Sequence, residues 1–211
     1  MPANKMAAEL LDVARRAKGF MPEEEGLALH EVALEAGTIG PLLEIGTYCG
    51  KSAVYLGAAA RERGTILYTI DHHRGSEEMQ AGWDHHDEEL IDPKTGLMDS
   101  FPFFEQTMAQ ANLEDVVVAL VGDSVTIAQD WTTHVGLVFI DGAHSEEPAR
   151  IDYEAWAPKI AKGGVLAIHD VFPDPKDGGQ GPFQIYERAL DSGKFVEERA
   201  EGSLRVLRRE A

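Results

Sequence analysis

The sequence has little of what marks a secreted, membrane-spanning or nucleic-acid-binding protein. Its 211 residues include a single cysteine, Cys49, which cannot form an internal disulfide and fits a reducing cytoplasm. No apolar run approaches the roughly 20 residues needed to cross a bilayer. Lysine and arginine number 19 against 37 acidic residues, and a net charge of -18 repels phosphate backbones and anionic membranes. We therefore expect a soluble cytoplasmic protein without nucleic-acid or membrane partners.

What the sequence does contain is an alternation of short apolar runs and helical patterns, within an ordinary globular composition of 44% hydrophobic and 27% charged residues. Strands are predicted over residues 41–45, 66–71, 116–121, 135–141 and 165–169, and helices over 7–18, 21–37, 51–63, 103–111, 147–160 and 183–190. Two strands over 195–200 and 204–208 close the chain. The pattern predicts one α/β domain over residues 1–211, with N-terminal helices in 1–38 and a doubly wound, Rossmann-like sheet carrying helices on both faces.

Two polar stretches interrupt this alternation. Residues 72–102 separate the second strand from the next helix, and residues 173–182 form a proline- and glycine-rich loop after the fifth strand. Loops of this length in a small domain are usually lids or binding segments. Both follow the carboxyl ends of strands, where open α/β sheets bind ligands.

A glycine turn follows the first strand in residues 42–52, LLEIGTYCGKS. Glycines allow the backbone to approach a ligand, and the following helix offers free N–H groups. A phosphate-binding loop of a nucleoside triphosphatase is one interpretation, but Gly46 and Gly50 enclose only three residues and Ile45 stands where that motif needs glycine. An acid two residues before a glycine pair suits a methyltransferase better, with Glu44 taking the amino end of a bound methionine.

Polar residues also lie at the ends of the second and third predicted strands. Asp71 ends the second strand, where an acid can accept both hydroxyls of a ribose, and the absence of G-x-G-x-x-G argues against a nicotinamide dehydrogenase. Gly122, Asp123 and Ser124 follow the third strand, where an adenine edge would lie. Asp123 and Ser124 fit a helix N-cap equally well.

Three motifs in order resemble those of catechol O-methyltransferase and its relatives: residues 43–54, LEIGTYCGKSAV; residues 139–144, FIDGAH; and residues 163–170, GGVLAIHD. The resemblance covers about residues 41–171. It implies a class I methyltransferase that uses S-adenosylmethionine, with a seven-stranded sheet ending in an antiparallel hairpin, and a homodimer of the kind that related sugar methyltransferases form. The residues expected to bind the cofactor are Glu44, Gly46, Thr47, Tyr48, Gly50, Ser52, Asp71, His72, Gly122, Asp123, Ser124 and Asp141.

The resemblance also implies a catalytic centre at Asp141, His144 and Asp170. Metal-dependent relatives hold Mg²⁺ at positions that correspond to Asp141, His169 and Asp170, although histidine is a poor ligand for a hard cation. His144 takes the place of the relatives' catalytic lysine, and a histidine is an available base near neutral pH. The alternative is that His144 only hydrogen-bonds the turn that follows it.

The polar insertion over residues 72–102 is expected to form part of the site for the methyl acceptor. Trp83 can stack on a sugar ring, and Arg74 and His144 are expected to bind the acceptor; the alternative is a solvated lid without acceptor contact. The sequences of the insertion and of the C-terminal residues also resemble those of an actinobacterial group of enzymes that methylate sugars of methylmannose polysaccharide. This resemblance implies a mannoside or oligosaccharide acceptor that is methylated at its 1-hydroxyl. The alternative acceptor is a phenol or another small compound with a hydroxyl group. The alternative class of protein is one that binds the cofactor without catalysing a reaction.

Overall fold

The computed structural model describes residues 6–76, 87–142 and 144–210. Within them the helices are α1 (Ala8–Arg16), α2 (Glu23–Ala36), α3 (Lys51–Arg63), α4 (Phe101–Ala111), α5 (Ser124–Gln129), α6 (Glu146–Trp156) and α7 (Gly181–Asp191). The strands are β1 (Leu42–Ile45), β2 (Leu67–Asp71), β3 (Val117–Val121), β4 (Val135–Ile140), β5 (Ile160–Ile168), β6 (Phe195–Glu201) and β7 (Leu204–Arg209). Short 3-10 helices cover Glu88–Leu90 and Ala157–Lys159.

The seven strands form one sheet in the order β3-β2-β1-β4-β5-β7-β6. The first five strands run parallel, and β7 pairs antiparallel with both β5 and β6. The predicted Rossmann-like fold with a C-terminal antiparallel hairpin is therefore confirmed. Because the chain crosses over between β3 and β4, the carboxyl ends of β1, β2, β4 and β5 meet at the switch point where such sheets bind ligands.

Both faces of the sheet are covered, so its central strands are buried throughout. Every residue of β1 and of β4 is buried, which explains why these strands read as unbroken apolar runs. One core cluster lies under helices α1 to α4, with Leu42 and Phe139 at its centre. The other lies under α5, α6 and α7 and includes Leu43 and Trp156. Helices on both faces are thus confirmed.

Three predicted boundaries were wrong. The helix predicted over residues 147–160 ends at Trp156, because Pro158 lacks an N–H for the helical ladder. Ile160 instead begins β5 and pairs with Val135, so β5 begins five residues earlier than predicted. At the end of the insertion, α4 begins at Phe101 with Pro102 in its first turn, a position that tolerates proline.

Across the described ranges, no helix is both long enough and apolar enough to span a lipid bilayer.

Candidate active site

A cavity of about 1060 Å³ opens at the carboxyl ends of the parallel strands. Its volume suits a cofactor together with an acceptor. Most of the predicted site residues line it: Gly46, Thr47, Tyr48, Ser52, Asp71, His72, Gly122, Asp123, Ser124, Asp141, His144, His169 and Asp170. Glu44, Gly50 and Arg74 lie outside its wall. Trp83, predicted to bind the acceptor, falls outside the described residues.

The glycine turn after β1 is shaped by close contact with the end of β4. Gly46 has a φ of +91°, and a Cβ there would lie 2.4 Å from the backbone oxygen of Asp141, so only glycine fits. Asp71 fixes the rest of the turn, since its Oδ2 accepts the backbone N–H groups of Thr47 at 3.0 Å and Tyr48 at 2.8 Å. Its Oδ1 accepts the backbone N–H of His73 at 2.7 Å and keeps a second lone pair for a ligand hydroxyl.

Glu44 occupies a different place from the one that the sequence suggested. Its carboxyl is fully buried beneath the turn, and its Oε2 accepts the hydroxyl of Thr69 at 2.6 Å. Thr69 also contacts the hydroxyl of Thr47, which lies in the cavity wall. Burial raises the pKa of Glu44 to about 7. Glu44 therefore supports the turn from below, without facing the cavity.

His144 and Asp170 also line the cavity and form a hydrogen-bonded pair. Nε2 of His144 lies 2.9 Å from Oδ2 of Asp170. Asp170 has a φ of +54°, a conformation that costs a non-glycine residue energy and is found mainly at functional sites. Burial alone would raise the pKa of Asp170, but hydrogen bonds from His144 and His169 outweigh it and hold this pKa well below its ordinary value. A carboxylate thus orients the histidine and can stabilise its charged form.

His169 lies beneath this pair with a carboxylate on each ring nitrogen. Its Nδ1 is 2.9 Å from Oδ1 of Asp141, and its Nε2 is 2.6 Å from Oε2 of Glu25. Burial lowers the pKa of His169, but the charges of Asp141, Asp170 and Glu25 outweigh burial and raise it to about 12. His169 is therefore a buried cation that donates two hydrogen bonds.

This arrangement does not fit the predicted magnesium site. Asp141, His169 and Asp170 each have a ligand-type atom within 4.8 Å of the others, which is close enough for an ion. A histidine whose two nitrogens both donate protons has no lone pair for a metal, and Mg²⁺ prefers oxygen ligands. The imidazolium of His169 instead supplies the positive charge between the two aspartates.

Glu25 was missed by the sequence analysis. It lies in the first turn of α2, where an acidic residue suits the helix dipole, yet it is only 6% exposed. Besides His169, its carboxylate accepts the backbone N–H of Ser203 at 2.8 Å and is near the Ser203 hydroxyl. The sequence offers no signal for this contact, because the partners of Glu25 lie 144 and 178 residues away.

Asp123 acts as a helix cap at the β3 end of the cavity. Its Oδ1 accepts both the backbone N–H and the hydroxyl of Thr126 at 2.7 Å, so the N-cap interpretation is confirmed, although Asp123 also lines the cavity. Its neighbour Ser124 donates its hydroxyl to Asp152 of α6, a buried wall residue that the sequence analysis did not identify.

Two segments contribute to the cavity wall, one beside Tyr48 and the other beside His144. The link between α1 and α2 contributes Lys18, Phe20 and Met21, and Lys18 forms ion pairs with Asp87 and Glu89 at the far end of the insertion. The loop after β5 contributes Phe172, Asp177, Gly178 and Gly179. Residues 177–179 of the second predicted binding loop thus lie at the cavity.

Comparisons with known proteins agree with this geometry. A family model described as a methyltransferase domain matches residues 43–171, so the chain belongs to this methyltransferase family. Among solved structures, the chain resembles the O-methyltransferase TomG of Streptomyces achromogenes in complex with S-adenosylmethionine, with 19% identity over 98% of this chain and 92% of that one and a TM-score of 0.65. An O-methyltransferase from Bacillus cereus in complex with S-adenosylhomocysteine has 17% identity over 99% and 94%, with a TM-score of 0.64. The O-methyltransferase NovP has 14% identity over 90% and 81%, with a TM-score of 0.67. At these identities the solved structures show a shared fold.

Proposed function

We propose that this chain is an S-adenosylmethionine-dependent O-methyltransferase that methylates a sugar hydroxyl. The observation that carries the proposal is the His144–Asp170 pair, because it places an oriented base in the same cavity as the glycine turn. A methyltransferase needs both: a backbone cradle for the cofactor and a group that removes the proton from the acceptor.

The chain's own residues suit the cofactor. The absent Cβ of Gly46 leaves the turn open, and Tyr48 and Asp71 lie beside it in the wall. The β3 end of the cavity, at Gly122 and Ser124, then remains for the nucleoside base. The solved structures that hold the methyl donor or its product share this fold.

The cofactor, when bound, supplies a methyl group on a positively charged sulfur; the acceptor oxygen bonds to that carbon as the C–S bond breaks and its electron pair returns to sulfur. The neutral His144 ring donates its Nε2 proton to Asp170, so the lone pair that takes the acceptor's proton is on Nδ1. Asp170 then stabilises the resulting imidazolium. Such proton transfer contributes on the order of 10²–10⁴-fold to the rate.

Magnesium has no part in this mechanism, because His169 provides the cation between Asp141 and Asp170. We expect activity to persist after exhaustive treatment with EDTA. If EDTA abolished activity and added Mg²⁺ restored it, the ion would displace His169, and this step would be overturned.

Several features of the acceptor end favour a sugar. Phe20 and Phe172 offer aromatic faces, while Asp177 and Asp170 offer acceptors for several hydroxyl groups. We propose a mannoside or short oligosaccharide methylated at its 1-hydroxyl. We further propose a cytoplasmic homodimer, which light scattering after size-exclusion chromatography would test.

The experiment has two stages. Calorimetry first measures binding of S-adenosylhomocysteine, with ATP as the control; binding of ATP alone would identify a nucleotide hydrolase and overturn the proposal. Transfer from methyl-labelled S-adenosylmethionine is then measured with mannosides and, in parallel, with catechols. Methylation of mannosides supports the sugar acceptor, methylation of catechols alone overturns it, and product binding without transfer to either overturns the sugar assignment.

A further inference from the structure

Asp152 is a buried acid in the cavity wall that no step above uses. It lies on α6, is 9% exposed, and contacts Ser124 at the β3 end of the cavity. Its neighbours in the wall are Ser124 and the apolar side chains of Val125, Pro148 and Ile151. A carboxylate among apolar side chains in a binding cavity is costly unless it has a donor.

The two oxygens of Asp152 differ in their surroundings. Oδ1 accepts the hydroxyl of Ser124. Oδ2 lies beside Gly142, which also lines the cavity. Within the described ranges no side chain or backbone group donates to Oδ2, and no lysine, arginine or histidine forms an ion pair with this carboxylate. Burial raises the pKa of Asp152 to about 6, which leaves it mostly ionised near neutral pH.

The position of this acceptor matches one end of a nucleoside. If Asp71 holds the ribose at the end of β2 and the reacting methyl faces His144, the base extends toward Ser124 and α6. Val125 and Ile151 are then placed to contact its flat faces. An acceptor in the plane of a purine selects an exocyclic amine, because a carbonyl oxygen there would set two lone pairs against each other.

We propose that Asp152, held by Ser124, recognises the exocyclic amine of the cofactor's adenine and so determines which nucleoside base the enzyme accepts. This inference rests on the proposed use of S-adenosylmethionine. It adds a specificity-determining residue on α6, a helix on which the sequence motifs place no ligand contact.

The test compares S-adenosylhomocysteine with S-inosylhomocysteine, which has a carbonyl oxygen in place of that amine and a hydrogen on the neighbouring ring nitrogen. Calorimetry on the wild-type protein should show ~10-fold tighter binding of the adenine compound, or about 1.4 kcal/mol, because the carbonyl oxygen leaves the buried acceptor without a donor. In Asp152→Asn the preference should fall to about threefold or less, because the amide can rotate to donate to the carbonyl oxygen.

Glu154→Gln is the matched control, since it makes the same change on an exposed part of the same helix and should keep the wild-type ratio. Equal affinity of the wild-type protein for the two ligands overturns the inference without any variant, and so does an unchanged ratio in a folded Asp152→Asn protein. If the wild-type protein binds neither ligand, the proposed function itself fails, which is a different result from binding both equally.

Discussion

Glu25 and His169 are joined by a hydrogen bond of 2.6 Å that links the first turn of α2 to the floor of the catalytic cavity. Since Glu25 also accepts the backbone N–H of Ser203, one carboxylate connects the N-terminal helices, the end of β5 and the tip of the C-terminal hairpin. The N-terminal helices are thus part of the active-site framework.

Replacing Glu25 with alanine should destabilise the protein strongly. The change leaves the buried cation of His169 short of one partner and the Ser203 N–H without its acceptor, and breaking a buried pair in this way costs about 3–5 kcal/mol. Urea denaturation would measure the loss in the free energy of unfolding. Glu24→Ala, an exposed change in the same turn, should stay within about 0.5 kcal/mol. Similar values for both variants would show that the contact adds no stability.

Replacing His144 with alanine should lower kcat on the order of 10²–10⁴-fold while cofactor affinity changes little, because the histidine acts on the acceptor's proton. Steady-state rates and S-adenosylhomocysteine calorimetry would separate the two effects. His134→Ala provides the control, since that histidine is exposed and does not line the cavity. Near-normal turnover of His144→Ala at saturating substrate would rule out its role as the base.

The sequence predicted the acids at the strand ends better than it predicted the acids on the surrounding helices, and the reason is physical. Asp71, Asp141 and Asp170 each follow a strand of a parallel sheet, and the carboxyl ends of such strands meet at one edge. The pattern of apolar runs therefore predicts that these acids converge. Glu25 and Asp152 lie on helices, and their side-chain partners depend on how each helix packs and rotates against distant elements. Local sequence carries no signal for that.

The same difference applies to Glu44. Its place beside the glycine turn is readable from the motif, but in β1 successive side chains point to opposite faces of the sheet. The backbone direction at the end of the strand decides whether the carboxyl faces the cavity or the core. In this protein it faces Thr69 in the core.

Replacing Gly179 with alanine should impair catalysis more than binding. A Cβ at this position would lie 2.7 Å from both Cβ and the backbone oxygen of His144, so the loop after β5 and the histidine cannot both keep their places. A displacement near 1 Å at a catalytic group can cost up to ~100-fold in rate, and we expect a loss in kcat of at least ~10-fold with nearly unchanged affinity for S-adenosylhomocysteine. Lys176→Ala, on the exposed part of the same loop, should retain wild-type kcat. Equal kcat values would mean that the loop does not position His144.

Replacing Glu44 with glutamine should stabilise the protein in a pH-dependent way. Burial raises the pKa of Glu44 from 4.5 to about 7, so the folded state retains a proton that the unfolded state releases. Below pH 4.5 both states are protonated and the raised pKa has no cost. Between pH 4.5 and 7 the wild-type protein loses stability as the pH rises, by up to about 3 kcal/mol in total, and above pH 7 the loss is constant. Glutamine cannot ionise, and its amide oxygen can still accept from Thr69. Urea denaturation at pH 5 and pH 8 should therefore show the advantage of Glu44→Gln over wild type growing with pH. A constant difference between the two proteins would mean that Glu44 is ionised in the folded state at both pH values, and that hydroxyl groups around it offset its burial.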